Sequence, residues 1–240
     1  MDQSLMSIGD LFSKSWKLYK NSFWRLIAVV LIPMAVVVGA GLVFLVLGLI
    51  FYTTIFSEFL GSLSRDSSTF SFIETIASVG PLLILGLVFA LVMLIVNFWS
   101  KASQLVAVRD TRSSVDIKKS LKEGWRLWVP YAWVAVLEGL ALMVGFILLI
   151  IPGIIFAIWF IFTPYTLMFD GFKGVAALKR SKELVQGYWW AVFGRMALMM
   201  LIVFAFSFVP LVGSIGSFLA GIYAIVYFSV LYEDLKRVKG

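Results

Sequence analysis

KASQLVAVRDTRSSVDIKKSLKEGWR, residues 101–126, places seven Lys and Arg side chains in one stretch between two apolar runs. The runs are PLLILGLVFALVMLIVNFW (81–99) and YAWVAVLEGLALMVGFILLII (131–151), and Glu138 is the one charged residue in either. The same alternation recurs along the chain. Lys14, Lys17, Lys20 and Arg25 cluster before or at the start of an apolar run, as do Lys173, Lys179, Arg180, Lys182 and Arg195, and Lys236, Arg237 and Lys239 follow the last run. Nineteen of the twenty Lys and Arg residues fall in these four segments, and only Arg65 lies outside them. Because cytoplasmic loops carry an excess of Lys and Arg, the pattern predicts an all-α polytopic membrane protein with both termini in the cytoplasm. Its six transmembrane helices are expected at 24–51, 81–99, 131–151, 154–169, 190–209 and 213–231.

Composition agrees. Of 240 residues, 62% are hydrophobic and 14% charged, with a mean hydropathy of +1.02. A soluble domain carries roughly a quarter of its residues charged. The net charge of +7 sits next to apolar runs, which points to anionic lipid headgroups at the cytoplasmic face and not to nucleic acid. There is no Cys and no His, so disulfides, thiolate metal sites and the commonest general base are excluded, and no cofactor or metal is expected. The first apolar run far exceeds a signal-peptide core, so an uncleaved first helix is expected.

The 24–51 run would make a helix about 42 Å long against a hydrocarbon core of ~30 Å, so it must tilt, kink at Pro33 or project outward. Two outer turns, IIPGII around Pro152 and VPLVG around Pro210, read as tight hairpins, since Pro and Gly stop a helix. The outer segment 52–80 is polar in its middle, with Glu58, Arg65, Asp66 and Glu74, and its second half, 70–79, suits one short helix lying on the membrane.

Overlaying the basic segments exposes a repeat. Ser15, Leu18 and Trp24 match Gly124, Leu127 and Trp133, and again Ser181, Leu184 and Trp190. The unit is a basic amphipathic helix followed by a transmembrane hairpin, three times over, with the amphipathic helices at 7–22, 115–128 and 174–187. On a helical wheel Ile8, Leu11, Phe12, Ser15, Trp16, Leu18, Tyr19 and Phe23 share one face, opposite Asp10, Lys14, Lys17 and Lys20. In the second copy Ile117, Leu121, Gly124, Trp125, Leu127 and Trp128 oppose Lys118, Lys119, Lys122 and Arg126. Helices of this kind lie in the headgroup plane or form a cytoplasmic bundle. In the third copy Lys182 stands where the others have Trp16 and Trp125, so that helix should lie differently.

The stretch LMFDGFKGVAALKRSKELVQGYWWAVFG (167–194), the opening SIGDLFSKSWKLYKNSFWRLI and the hairpin IPGIIFAIWFIFTPY resemble a known family. It is the membrane domain fused to some glycerophosphodiester phosphodiesterases, which also occurs as stand-alone bacterial and archaeal proteins. The resemblance spans nearly the whole chain and implies a six-span fold in the cytoplasmic membrane of a bacterium or archaeon. The family pattern falls here on Asp170, Ala177, Arg180, Ser181, Leu184 and Gly187, with Asp in place of the expected Glu. The catalytic His and metal-binding carboxylates of the fused enzymes have no counterpart, so the resemblance does not carry over phosphodiesterase activity.

Two candidate sites stand out. A charged Glu138 inside a span costs at least ~2.5 kcal/mol, so it should face the bundle interior, be protonated or have a partner. It reads either as a proton, cation, headgroup or amine site, or as a carboxyl hydrogen-bonded to a neighbouring helix. Asn97, near the cytoplasmic end of the second span, is its candidate partner or simply interhelical glue. Asp170, Arg180 and Ser181 form the second site, read either as a structural Asp170–Arg180 ion pair closing the elbow after the fourth span or as a phosphate-binding elbow. Small residues in the last span, Gly213, Ser217 and Gly221 in one row and Gly216, Ala220 and Ala224 in another, suit close packing within the bundle or, less well, a dimer face. Phosphate loops, spaced carboxylates and a Ser with a base are absent. The expectation is therefore a non-enzymatic protein of membrane lipid or envelope homeostasis. The alternatives are a small transporter, exporter subunit or immunity protein built on Glu138, or a scaffold for a membrane-protein partner.

Overall fold

A computed structural model describes residues 4–63, 72–208 and 213–239, with side chains over 4–53, 56–57, 80–208 and 213–239. Among the described residues eight α-helices follow one another: α1 (Ile8–Leu63), α2 (Phe72–Arg109), α3 (Ile117–Leu148), α4 (Ile150–Phe160), α5 (Thr163–Asp170), α6 (Val175–Val185), α7 (Trp189–Ser207) and α8 (Gly213–Lys239). A 3₁₀ turn, Asp110–Arg112, follows α2, and no strand occurs among the described residues. Six helical stretches among the described residues are long and apolar enough to cross a membrane, so the protein is an all-helical, multi-pass membrane protein. Arg65, Asp66 and the turn around Pro210 lie outside the described residues.

Ser7 starts α1. Its Oγ accepts from the Asp10 N–H at 3.1 Å and donates to Asp10 Oδ2 at 2.7 Å, a reciprocal cap of the first turn. Leu11, Ser15, Tyr19, Ser22, Leu26 and Val29 then form a buried stripe at helical spacing. The helix continues without a break into the apolar run and through Pro33. This replaces the separate surface helix expected at 7–22. The sequence between Phe23 and Ile32 has no Gly or Pro, and breaking the helix there would orphan backbone groups for no gain.

The second basic segment behaves alike. Asp116 caps α3 by accepting from the Lys119 N–H at 3.2 Å, and the helix runs on through Pro130 for 32 residues, so the separate helix expected at 115–128 is also absent. The expected short helix at 70–79 is, over its described part, the first turns of α2. Only the third basic segment is a helix of its own. Three glycines with positive φ bracket α6: Gly171 (76°), Gly174 (55°) and Gly187 (92°). Such backbone is strained for any side chain: Gly171 and Gly174 turn the chain into α6, and Gly187 turns it out again where the other two segments carry on.

The α3–α4 hairpin turns three residues before its Pro-Gly pair. Leu149 alone is extended, while Pro152 sits in the first turn of α4, where its missing N–H has no intrahelical role. Gly153 then lets the arms meet: a Cβ there would fall 2.4 Å from the Phe146 ring, and one on Gly145 would fall 3.1 Å from Gly153 Cα.

The expected fourth span is two helices. Pro164 has no N–H for the Phe160 carbonyl, and the Thr163 hydroxyl takes that place at 2.6 Å. Ser181 of α6 secures the rest of the break, accepting from the Phe162 N–H at 3.2 Å and donating to the Trp159 carbonyl at 2.7 Å.

The chain divides into two compact units, 1–30 with 98–240, and 31–97. The larger has a continuous core that includes Leu11, Val106, Ile158, Phe162, Leu184, Tyr227 and Leu235. In the last helix, Gly213 and Gly216 serve packing within the bundle, since a Cβ at either would fall 2.9 Å from atoms of Phe206 on α7. In the smaller unit most large apolar side chains, among them Leu42, Leu45, Leu83 and Leu87, are exposed, as lipid-facing surface requires. Its Phe44 and Phe89 rings stack at 4.3 Å.

Candidate functional site

Charge in the larger unit gathers at one end, where the basic segments meet. At its centre Arg109, the last residue of α2, holds Glu123 of α3 through two parallel hydrogen bonds of 2.9 and 3.0 Å. It also donates to Asp110 at 3.0 Å and to the Met168 carbonyl at 3.3 Å. Asp110 is bound in turn by Lys119 at 2.9 Å. A two-pronged guanidinium–carboxylate contact is among the stronger pairings available to side chains. The α2 and α3 backbones approach closely beside it, because a Cβ on Gly124 would fall 2.1 Å from Ser103 Oγ and 2.7 Å from Ser103 Cα.

The last helix supplies the remaining ties. Asp170 accepts from the Tyr232 hydroxyl at 2.7 Å and from Lys236 at 2.5 Å, and Glu233 pairs with Arg112. Asp234, with its side chain 1% exposed, accepts from the Met6 N–H and from Arg237, both at 2.8 Å. Arg195 donates to the Met6 carbonyl at 2.7 Å. Lys239 binds the Glu183 and Gln186 carbonyls at the end of α6, where a helix presents its negative pole.

These contacts rearrange the expected elbow. Asp170 does not pair with Arg180. The Gly171–Gly174 turn sets α6 apart from α5, and Tyr232 and Lys236 occupy the Asp170 carboxylate. Arg180 lies 3.6 Å from Glu183, one turn along its own helix, and its buried Nε has no hydrogen-bond partner among the described residues. Ser181 is buried and committed to the α4–α5 break, so the three residues form no common site. Lys182 lies over the Trp159 ring at 4.4 Å, which is where its helix differs from the other two basic segments.

Glu138 shares the inward stripe of α3 with the buried Val134 and Gly145, and no hydrogen bond or ion pair joins it to another described residue. Asn97, the last residue of the smaller unit, is exposed on α2. Among the described residues no cluster of three or more acidic side chains could hold a metal.

A second set of cations is arranged differently. Lys14, Lys17, Lys20 and Arg25 on α1, Lys101 on α2, and Lys118, Lys122 and Arg126 on α3 are all exposed, and none forms a hydrogen bond or ion pair among the described residues. On α3 they extend the face that carries the exposed Val129, Trp133, Val136 and Leu140 further along the helix. The exposed Trp16, Trp24 and Trp125 stand among them. Sequence spacing located these cations, but it could not separate them from Arg109, Arg112 and Lys119, whose partners lie on other elements.

No family model, curated protein or solved structure matches this chain.

Proposed function

We propose that this is a non-enzymatic protein of membrane lipid or envelope homeostasis that works by gathering anionic phospholipids around its basic end, which faces the cytoplasm. The observation that carries the reading is the division of the cations. Arg109, Arg112, Lys119, Lys236 and Arg237 are neutralised by carboxylates within the fold. Lys14, Lys17, Lys20, Arg25, Lys118, Lys122 and Arg126 are left outward, among exposed Trp side chains and in line with lipid-facing apolar surface. Cations there attract anionic headgroups at about 1 kcal/mol each. Trp marks the headgroup boundary. The resemblance of 167–194 to the membrane domain of certain phosphodiesterases points to the same setting, the cytoplasmic membrane of a bacterium or archaeon.

The test is the protein's thermal stability in nanodiscs of phosphatidylcholine with and without phosphatidylglycerol, joined to deletion of the gene. Preferential binding should raise the unfolding temperature with phosphatidylglycerol, because a ligand of the folded state stabilises it by mass action. Deletion should alter lipid composition or envelope integrity under stress. Equal stability in both bilayers, or an unaltered envelope, would defeat the proposal.

One observation favours a second reading, transport. Glu138 lies on the inward stripe of α3 without a partner among the described residues, as a coupling carboxylate would. Proton or solute flux in sealed vesicles that Glu138→Gln abolishes would support it, whereas flux that is absent or indifferent to the change would exclude it.

A further inference from the structure

We propose that the groove between Arg25 on α1 and the loop entering α3 is a discrete site for the phosphate of one anionic phospholipid. The inference rests on the lipid reading above and gives it an address.

The groove has a volume of about 390 Å³ and is lined by Arg25, Ser114, Val115, Asp116, Ile117 and Lys118. Two cations from distant parts of the chain converge on it. Neither has an anion among the described residues, although Arg109, Arg112 and Lys119 close by in sequence are each neutralised by a carboxylate. Asp116, the groove's one acidic residue, uses a carboxylate oxygen to cap the Lys119 N–H. Val115, 4% exposed, is anchored in the core, so the loop is held in place.

The chemistry suits a phosphodiester. Arg presents a planar fork that grips two phosphate oxygens, Lys adds a compact charge, and the exposed Ser114 hydroxyl can donate to a third oxygen. The groove's two cations outnumber its one carboxylate, so the site is net positive and favours an anionic headgroup over a zwitterionic one. Position narrows the source of the phosphate. Arg25 directly follows Trp24, which is 79% exposed at the end of the apolar run, the level at which lipid phosphates lie. An acyl chain descending from that phosphate would run along the outward face of α1.

The experiment is native mass spectrometry of the full chain released from mixed phosphatidylglycerol and phosphatidylcholine micelles. It compares the wild type with Arg25→Gln/Lys118→Gln and with a control of equal charge loss, Lys14→Gln/Lys17→Gln. All four side chains are exposed, and unchanged unfolding temperatures will confirm intact folds. The wild type should keep one phosphatidylglycerol after activation strips the rest. The groove variant should lose it, with affinity down about tenfold or more, as the loss of charge-assisted hydrogen bonds implies, while the control keeps it. Equal losses in both variants would make the basic surface diffuse, overturning the site while sparing the lipid reading. No preference for phosphatidylglycerol in the wild type would overturn both. Displacement of the retained lipid by millimolar inorganic phosphate would assign the groove to a free phosphate and overturn the lipid.

Discussion

Arg109 and Arg126 belong to the same basic stretch and meet opposite surroundings. Arg109 ends α2 facing inward, where Glu123, Asp110 and the Met168 carbonyl surround its guanidinium. Arg126 stands on the outward face of α3, exposed and without an anion among the described residues. Counting both toward the positive side of a membrane gives the chain its predicted direction but hides a division of labour. Position relative to the buried stripe of each helix decides whether a cation closes the fold or is left outward. The inner group should therefore govern stability and the outer group lipid affinity, and substitutions can separate the two.

The largest effect is expected at the contact that brings the inner group together. Gly124→Ala would drive a Cβ into the Ser103 backbone, so α2 and α3 must part. A loss of about 3 kcal/mol is expected in denaturant titrations followed by circular dichroism. A neutral result would mean that the two backbones have room to spare. Arg109→Met comes next. It strands Glu123 in a partly buried position, leaves Asp110 to Lys119 alone and should cost about 2 kcal/mol, with recovery when Glu123→Gln is added. If the double variant is no better than the single one, the pair is not coupled as described. Ser181→Ala removes one hydrogen bond given and one received at the α4–α5 break, worth about 1.5 kcal/mol together. An unchanged stability there would show that the break needs no side-chain support. The smallest effect belongs to the outer group. Lys14→Gln/Lys17→Gln should leave stability in neutral detergent within ~0.5 kcal/mol while weakening adhesion to phosphatidylglycerol vesicles, most clearly at low salt. A marked loss of stability would erase the distinction between the two groups.

The six apolar runs were legible because their charges are so unevenly placed, and the helices cover all six. Helix continuity was not legible at 7–22 or 115–128. The same amphipathic pattern serves a helix lying on a surface and one that prolongs a span. The informative residue was Gly187, whose counterparts in the other basic segments, Asn21 and Pro130, lie within unbroken helix. Pro164 was the readable sign of the divided fourth span, and the partner it demanded, Thr163, is adjacent. The Asp170 partners were out of reach, since Tyr232 and Lys236 are 62 and 66 residues away and nothing local announces them. Ser181 was noticed as a candidate for chemistry and proved to hold backbone. Glu138 lies half-buried on the α3 face that carries Val134 and Gly145, with no hydrogen bond or ion pair among the described residues.

The link between Met6 and Asp234 spans 228 residues, and the Tyr19 and Tyr223 hydroxyls bridge α1 and α8 across 200 and 211. A ribosome delivers α1 well before α8. Throughout synthesis, then, the polar stripe of Ser15, Tyr19 and Ser22 near the start of α1 stands without the helix that will cover it. The long-range pairings form only once translation has reached the final helix, which makes assembly slow to start and abrupt to finish. A chain stalled before Gly213 carries an unfinished inner face, so α8 certifies α1.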